Sequence, residues 1–96
     1  MDFEWDAAKS DANLEERGFD FEFATLIFDG PTVERPDRRK DYGEERVIAI
    51  GIAEGIYLTV VYTDRSVEGR QVRRLISARR SNQREREAYE AYEQAE

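Results

Sequence analysis

The sequence predicts an α+β fold, in which a small antiparallel sheet (a meander) is accompanied by two N-terminal helices and one C-terminal helix. Three β-rich segments, at 46–52, 57–63 and 71–78, follow one another through short connections, as strands of an antiparallel meander do. The helical patterns lie before and after these segments rather than between them, which argues against βαβ winding. Ninety-six residues suffice for one modest core. We therefore expect a single domain spanning 1–96.

The N-terminal third predicts a short strand and two helices. The stretch FEWD (3–6) has the pattern of a strand, and the helix that follows at 7–17 has Asp6 as its cap and Gly18 just past its end. A second short helix is predicted at 20–28. Its apolar side chains fall on one stripe: Phe21, Ala24, Ile27 and Phe28.

The middle of the chain predicts a loop followed by the meander. The segment 32–46 is polar and is expected to be mostly loop, with room for one short edge strand. In the first meander strand three isoleucines alternate with the smaller Ala49 and Gly51, so the isoleucines share one face of the sheet. In the last strand Arg73 and Arg74 point to opposite faces. The one on the side of Leu75 must extend along the sheet to water or meet a carboxylate.

Charge is distributed unevenly along the sequence. The net charge is −7, but residues 1–34 carry a net −8 and residues 65–86 a net +6. Affinity for phosphate depends on a local basic patch rather than on the total, so the acidic balance does not exclude RNA as a ligand. Of the 15 basic residues 13 are Arg, the side chain suited to forked recognition of phosphate or carboxylate. The alternative is a set of Arg–Glu surface pairs.

Four arginines surround the predicted start of the last helix, where Asn82 and Glu85 match a capping box. They are Arg79, Arg80, Arg84 and Arg86. A helix N-terminus already carries positive potential, so arginines are locally unfavourable there unless an anion binds. We expect Arg79 and Arg84 to contact phosphate, with Arg46 converging from a neighbouring strand. The alternative is that Arg79 pairs with a carboxylate of the same chain.

Two residue types that support common chemistries do not occur. The sequence contains no cysteine and no histidine, which removes thiolate metal sites, disulfides and the usual general base near neutral pH. No metal motif or phosphate-binding glycine loop is present, so we expect no cofactor and no metal. No apolar run approaches the roughly 20 residues that span a bilayer, and nothing at the N-terminus resembles a signal peptide. A cytoplasmic protein without membrane contact is expected.

Three stretches of the sequence resemble the BrnT-type toxins, a family formerly grouped as a domain of unknown function. They are FEWDAAKSDANLEERGFDFEFATLIFDGP, GEERVIAIG and LISARRSNQREREAYE, and matches occur in order over residues 3–90. The resemblance implies a RelE-like fold and a ribonuclease toxin of a bacterial type II toxin–antitoxin system. The positions that match family signatures are Lys9, Asn13, Arg46, Ser77, Arg79 and Glu85.

The same resemblance implies a partner. Toxins of this family are neutralised by a BrnA-type antitoxin, whose ribbon-helix-helix portion dimerises and binds operator DNA. The expected state is a hetero-oligomer that contacts operator DNA only through the antitoxin, while the toxin itself binds RNA.

Cleavage of RNA without a metal needs an acceptor for the 2′-OH proton, cations that stabilise the phosphorane and an acid for the leaving oxygen. Without histidine the acceptor must be a carboxylate such as Asp64 or Glu85, a tyrosine, or a deprotonated Lys9. A carboxylate with an ordinary pKa near 4 is a poor base for an alcohol, so a slow or ribosome-assisted enzyme fits best. Three arginines can supply the cations: Arg46, Arg79 and Arg84.

The sequence also departs from the family pattern. Where the family often has Lys-His-Gly, this chain has Glu16, Arg17 and Gly18, and Arg73 occupies a usually apolar position. These departures leave a second hypothesis open, a catalytically impaired toxin-like module that only binds its antitoxin.

Overall fold

The computed structural model describes residues 1–94, which form five strands and three helices. A 3₁₀ segment, Thr25–Asp29, continues the second helix. Within the described residues no helix has both the length and the apolar character that crossing a membrane requires. The elements are β1 Asp2–Glu4, α1 Ala7–Arg17, α2 Phe21–Ala24, β2 Val33–Pro36, β3 Val47–Ala53, β4 Ile56–Val67, β5 Arg70–Arg80 and α3 Gln83–Gln94.

The strands form one mixed sheet in the order β1-β5-β4-β3-β2. Strands β3, β4 and β5 are antiparallel neighbours, which confirms the predicted meander. Strand β2 adds to β3 as the short edge strand for which the polar segment had room. The expectation of a purely antiparallel sheet is wrong, because β1 pairs with β5 in parallel.

Ion pairs accompany the parallel pairing of β1. This pairing places the acidic N-terminal strand beside the most basic strand of the sheet. The carboxylate of Glu4 accepts a hydrogen bond from Arg74 Nη1 at 2.8 Å and a second one from Arg65. Asp2 and Arg70 form an ion pair at 3.1 Å. The two carboxylates of β1 are therefore paired with arginines of the basic strands β4 and β5.

Local signals position the N-terminal helices as the sequence predicts. The Asp6 carboxylate accepts hydrogen bonds from the first turn of α1, and Gly18 ends this helix in the left-handed conformation with φ of 86°. Asp20 caps α2 by accepting a hydrogen bond from the Phe23 N–H at 2.8 Å. The predicted helix at 20–28 is thus present, but its second half is 3₁₀ rather than α.

The two faces of the sheet are covered by different helices. On the face that carries Ala49 and Gly51, here termed the α2 face, the 3₁₀ segment approaches so closely that a Cβ on Gly51 would lie 2.8 Å from Ile27 Cβ. The opposite face carries the isoleucines of β3 and is termed the α3 face, because α3 packs on it. Ile48 and Ile50 are buried there.

Candidate functional site

The start of α3 is fixed by a reciprocal pair of hydrogen bonds. The Asn82 N–H donates to Glu85 Oε1 and the Glu85 N–H donates to Asn82 Oδ1, each at 2.9 Å. This geometry confirms the predicted capping box. It also holds the Glu85 side chain, which is only 9% exposed, against the α3 face of the sheet.

Arg79 and Glu85 form a bidentate ion pair at this helix start. Nη1 and Nη2 of Arg79 donate to the two carboxylate oxygens of Glu85 at 2.8 Å each. These hydrogen bonds, aided by the one from the Asn82 N–H, outweigh the effect of burial and lower the pKa of Glu85 to about 2. The pKa of Arg79 is raised by the same contact. Glu85 therefore stays ionised near neutral pH and acts only as an acceptor.

The pairing of Arg79 with a carboxylate of its own chain is the alternative left open by the sequence, and the structure shows it. Arg79 is not thereby withdrawn from solvent, because its side chain remains 45% exposed. A guanidinium has five N–H donors, and the bidentate pair with Glu85 occupies two of them. A third contact runs from Nη1 to the Arg80 carbonyl at 3.4 Å, and the other donors are available to a ligand.

Beside this pair lies a groove of about 470 Å³ between α3 and the strands β2 and β3, here termed the α3 groove. Its rim carries Arg35 on one side and Arg84 on the other, and both are exposed. No carboxylate of residues 1–94 lies within 4.0 Å of either guanidinium. Its apolar lining comes from Val33, Ile48, Ile50 and Ala88.

A second, larger groove of about 650 Å³ adjoins the first and is formed with the 37–46 loop; we term it the loop groove. Arg35 lines both grooves. Arg46 lies in the loop groove, where its Nε donates to Glu44 at 2.9 Å and its guanidinium lies 3.9 Å from the centre of the Tyr42 ring.

Arg46 and Arg79 do not meet. Val47, which follows Arg46, pairs with Tyr62, whereas Arg79 pairs with Thr59. Val47 is three residues, or about 10 Å, along β4 from the Arg79–Thr59 pair, and Arg46 lies beyond Val47, so it occupies a neighbouring position rather than the same anion site.

Two other predicted residues lie outside both grooves. Asp64 accepts hydrogen bonds from Nε and Nη2 of Arg73 at 2.8 Å each. Arg73 meets a carboxylate, as expected of an arginine on the side of Leu75, and its guanidinium also lies over the Phe28 and Tyr62 rings at 4.8 and 4.0 Å. Lys9 Nζ donates to the Ile76 carbonyl at 3.4 Å. Neither Asp64 nor Lys9 lines the α3 groove.

Asn13, another position that matches the resemblance, is a structural residue. It is buried and donates from Nδ2 to the Phe19 carbonyl at 3.0 Å. Its Oδ1 accepts from Arg17 Nη1, which also donates to the Ala78 carbonyl of β5, each at 3.0 Å. This network ties α1 to the sheet, away from the α3 groove.

Sequence reasoning gathered Arg79, Arg84 and Glu85 correctly around the start of α3, but it missed Arg35 and Tyr42. Arg35 is opposite Ile48 in the β2–β3 register, so recognising β2 as a strand would have placed it on the α3 face. Tyr42 lies in an irregular loop, and no periodic signal places its ring. Within residues 1–94, no cluster of three or more carboxylates could hold a metal ion.

Comparison with known families identifies the family of this chain. The model of the family described as "Ribonuclease toxin, BrnT, of type II toxin-antitoxin system" matches residues 5–85, most of the chain. No curated protein matches the sequence.

Proposed function

The chain belongs to the BrnT family of ribonuclease toxins of type II toxin–antitoxin systems, and on this premise we propose that it cleaves RNA without a metal ion at the start of α3. The observation that carries the proposal is the pair of exposed arginines, Arg35 and Arg84, on the two sides of the α3 groove. Neither has a carboxylate partner within residues 1–94, so each can take a phosphate without breaking an ion pair.

The proposed chemistry relies on charge stabilisation and on positioning. The Arg79–Glu85 pair holds one guanidinium next to Glu85, which lines the groove, and the N–H donors that neither Glu85 nor the Arg80 carbonyl uses are proposed to stabilise the charge that develops on the phosphorane. Glu85 is a weak base because its pKa is about 2. We therefore propose a slow or ribosome-assisted reaction, in which orientation of the strand supplies most of the rate enhancement.

A second candidate function is an impaired module that binds its antitoxin without cleaving RNA. It is favoured by the engagement of the three residues named as proton acceptors: Glu85 and Asp64 are in ion pairs and Lys9 donates to a carbonyl. Arg17 argues for the active enzyme. It stands where the family resemblance leads one to expect histidine, and there it joins α1 to β5, away from the α3 groove.

The finer features implied by the resemblance belong to the same proposal. The fold is RelE-like, the partner is a BrnA-like ribbon-helix-helix antitoxin, and the complex rather than this chain binds operator DNA. Membership of a type II toxin family supports the existence of an antitoxin. We propose that this antitoxin covers the α3 groove with an acidic segment, since Arg35 and Arg84 attract carboxylates as well as phosphates, and that the pair acts in the cytoplasm.

Growth arrest and RNA binding test the proposal together. Induction of the chain should arrest growth, and Arg84→Ala should relieve the arrest and lower RNA affinity about tenfold, because a charge-assisted contact to phosphate contributes about 1.5–3 kcal/mol. The slope of log affinity against log salt should fall by about 0.7. Arg86→Ala is the matched control: it removes the same charge from the same helix, but Arg86 lines neither the α3 groove nor the loop groove.

The outcomes separate the two candidates. Arrest that Arg84→Ala relieves and Arg86→Ala retains supports the enzyme. A wild-type chain that causes no arrest, yet co-purifies with the product of the adjacent gene, supports the impaired module. Equal effects of the two substitutions would remove the α3 groove from the proposal.

A further inference from the structure

Tyr42 in the loop groove is contacted by two cations. The Arg46 guanidinium lies 3.9 Å and the Lys40 ammonium 5.1 Å from the centre of its ring. In this position the Arg46 side chain is 24% exposed to solvent. A planar guanidinium stacked on an aromatic ring makes an extended flat surface, which is the kind of surface on which nucleobases stack.

The loop that carries Tyr42 is held in place by a buried carboxylate. Asp37 has no side-chain exposure, and its oxygens accept hydrogen bonds from Nε and Nη2 of Arg39 at 2.8 and 2.7 Å. The Asp37 N–H donates to the Arg46 carbonyl at 2.8 Å, which fixes the two ends of the loop against each other. The Tyr42–Arg46 surface is therefore organised before any ligand binds, which reduces the entropy that binding must overcome.

The loop groove is lined by charged residues of both signs. Among its acidic residues, Asp37 is paired with Arg39 and Glu44 with Arg46, Glu34 accepts hydrogen bonds from Thr32 and Tyr62, and the exposed Asp41 and Glu45 form no ion pair within residues 1–94. Three cationic residues that line the groove can take a phosphate without breaking an ion pair, because no carboxylate of residues 1–94 lies within 4.0 Å of their charged groups. These are Arg35, Arg38 and Lys40.

The loop groove is continuous with the α3 groove through Arg35, which lines both. An anionic strand whose phosphates contact Arg84 and Arg35 is thereby directed toward Tyr42. Two aliphatic residues, Pro36 and Val47, line the loop groove beside the Tyr42 ring, and the other nine lining residues are charged. This composition does not suit the apolar anchors of a protein partner, and it does suit a phosphate backbone with a stacked base.

We propose that the loop groove is a nucleobase subsite for single-stranded RNA, in which one base stacks on the Tyr42–Arg46 surface while the adjoining phosphates pass Arg35; this subsite rests on the ribonuclease function proposed above. Every base has a π-face, so the subsite holds the strand without reading its sequence. Its role is to fix the position of the strand relative to the start of α3.

Fluorescence anisotropy with two labelled oligonucleotides tests the subsite, one a single-stranded RNA and the other an abasic strand of the same length. Tyr42→Leu should lower affinity for the RNA about tenfold and leave affinity for the abasic strand unchanged, because stacking requires a base. The salt slope should stay that of the wild type, since no phosphate contact is lost. Tyr42→Phe keeps the ring and should retain wild-type affinity.

Tyr92→Leu is the matched control, because Tyr92 is 48% exposed on α3 and lines neither groove. If Tyr42→Leu binds both strands as the wild type does while Arg84→Ala loses affinity, the subsite is refuted and the α3 groove remains. If Tyr42→Leu weakens both strands equally, the base does not stack there and the subsite is likewise refuted. A wild-type chain that binds neither strand overturns the subsite and the proposed function together.

Discussion

Replacing Glu85 with glutamine removes the negative charge of the Arg79–Glu85 pair and keeps the size and shape of the side chain. Glutamine has nearly the same size and can serve in a capping box, so the hydrogen bond to the Asn82 N–H is kept. What is lost is the negative charge opposite Arg79. Glu85→Gln should therefore destabilise the fold through electrostatics and leave α3 in place.

The magnitude follows from the pKa of the carboxyl group. A fall from the ordinary value of 4.5 to about 2 corresponds to about 3 kcal/mol of preferential stabilisation of the ionised form in the folded state. Because the Arg79 side chain is 45% exposed, solvent screens part of this interaction. We expect Glu85→Gln to lower the free energy of unfolding by about 2 kcal/mol at neutral pH.

The effect should depend on pH in a defined direction. The folded-state pKa is depressed, so the stabilisation is fully present above the unfolded pKa near 4.5 and is lost as pH falls toward about 2. Urea denaturation of wild type and Glu85→Gln should show a difference that shrinks by more than half between about pH 6 and pH 3. Glu87→Gln removes the same charge from an exposed position of α3 and should show little difference at either pH.

Two results would refute this reasoning. A difference between wild type and Glu85→Gln that stays constant from pH 6 to pH 3 would mean that packing, and not the ion pair, accounts for it. A Glu85→Gln variant as stable as the wild type at neutral pH would mean that desolvation of Glu85 cancels the attraction of Arg79.

Three further substitutions test the supporting structure. Asn82→Ala removes the α3 cap and should cost about 1 kcal/mol in urea denaturation, without changing the salt slope of RNA binding. Gly51→Ala should cost about 1–3 kcal/mol, because the new Cβ would lie 2.8 Å from Ile27 Cβ; a melting temperature equal to that of the wild type would contradict the close approach. Arg17→Ala should cost about 1–2 kcal/mol through the lost hydrogen bonds to Asn13 and Ala78, while growth arrest persists.

The meander and the capped helices could be predicted because their signals are local. Alternation along a strand, a short connection and a cap are each contained in a few consecutive residues. The parallel pairing of β1 has no such signal, since its three residues pair with residues 70 positions away. The charge asymmetry of the sequence was the available indication: Asp2 and Glu4 lie beside Arg70 and Arg74.

The isoleucine alternation in β3 predicted two distinct faces but not which helices cover them. The larger side chains pack under α3, whereas the N-terminal helices pack on the small ones. Gly51 explains the choice, since the 3₁₀ segment lies so close to β3 that a Cβ at that position would meet Ile27. Such a close approach depends on tertiary packing and is not visible in the strand's own pattern.

The candidate site was only partly accessible from the sequence, for the same reason. Arg79, Asn82 and Glu85 lie within seven positions, and their clustering follows from one strand-to-helix junction. Pairing of β2 with β3 places Arg35 at the α3 groove. The hydrogen bonds of the buried Asp37 hold the loop that places Tyr42 in the loop groove. The Arg35–Ile48 pairing joins residues 13 positions apart, and the loop around Tyr42 has no periodic pattern, so the sequence indicated neither position.

The ion pairs of the basic segment 65–86 determine how much of its positive charge is available to a ligand. Five of its eight arginines are in ion pairs within residues 1–94: Arg65, Arg70, Arg73, Arg74 and Arg79. The net +6 of this segment therefore overstates the charge available to a ligand. The three that remain, Arg80, Arg84 and Arg86, flank the start of α3.

A paired arginine and an unpaired arginine that lines the α3 groove should consequently respond in opposite ways to substitution. Arg74→Gln breaks a contact with Glu4 and should lower the melting temperature while leaving RNA affinity nearly unchanged. Arg84→Gln breaks no ion pair within residues 1–94 and should lower RNA affinity while leaving the melting temperature nearly unchanged. If both variants lost affinity equally, total charge rather than the unpaired arginines would govern binding, and the α3 groove would have no special role.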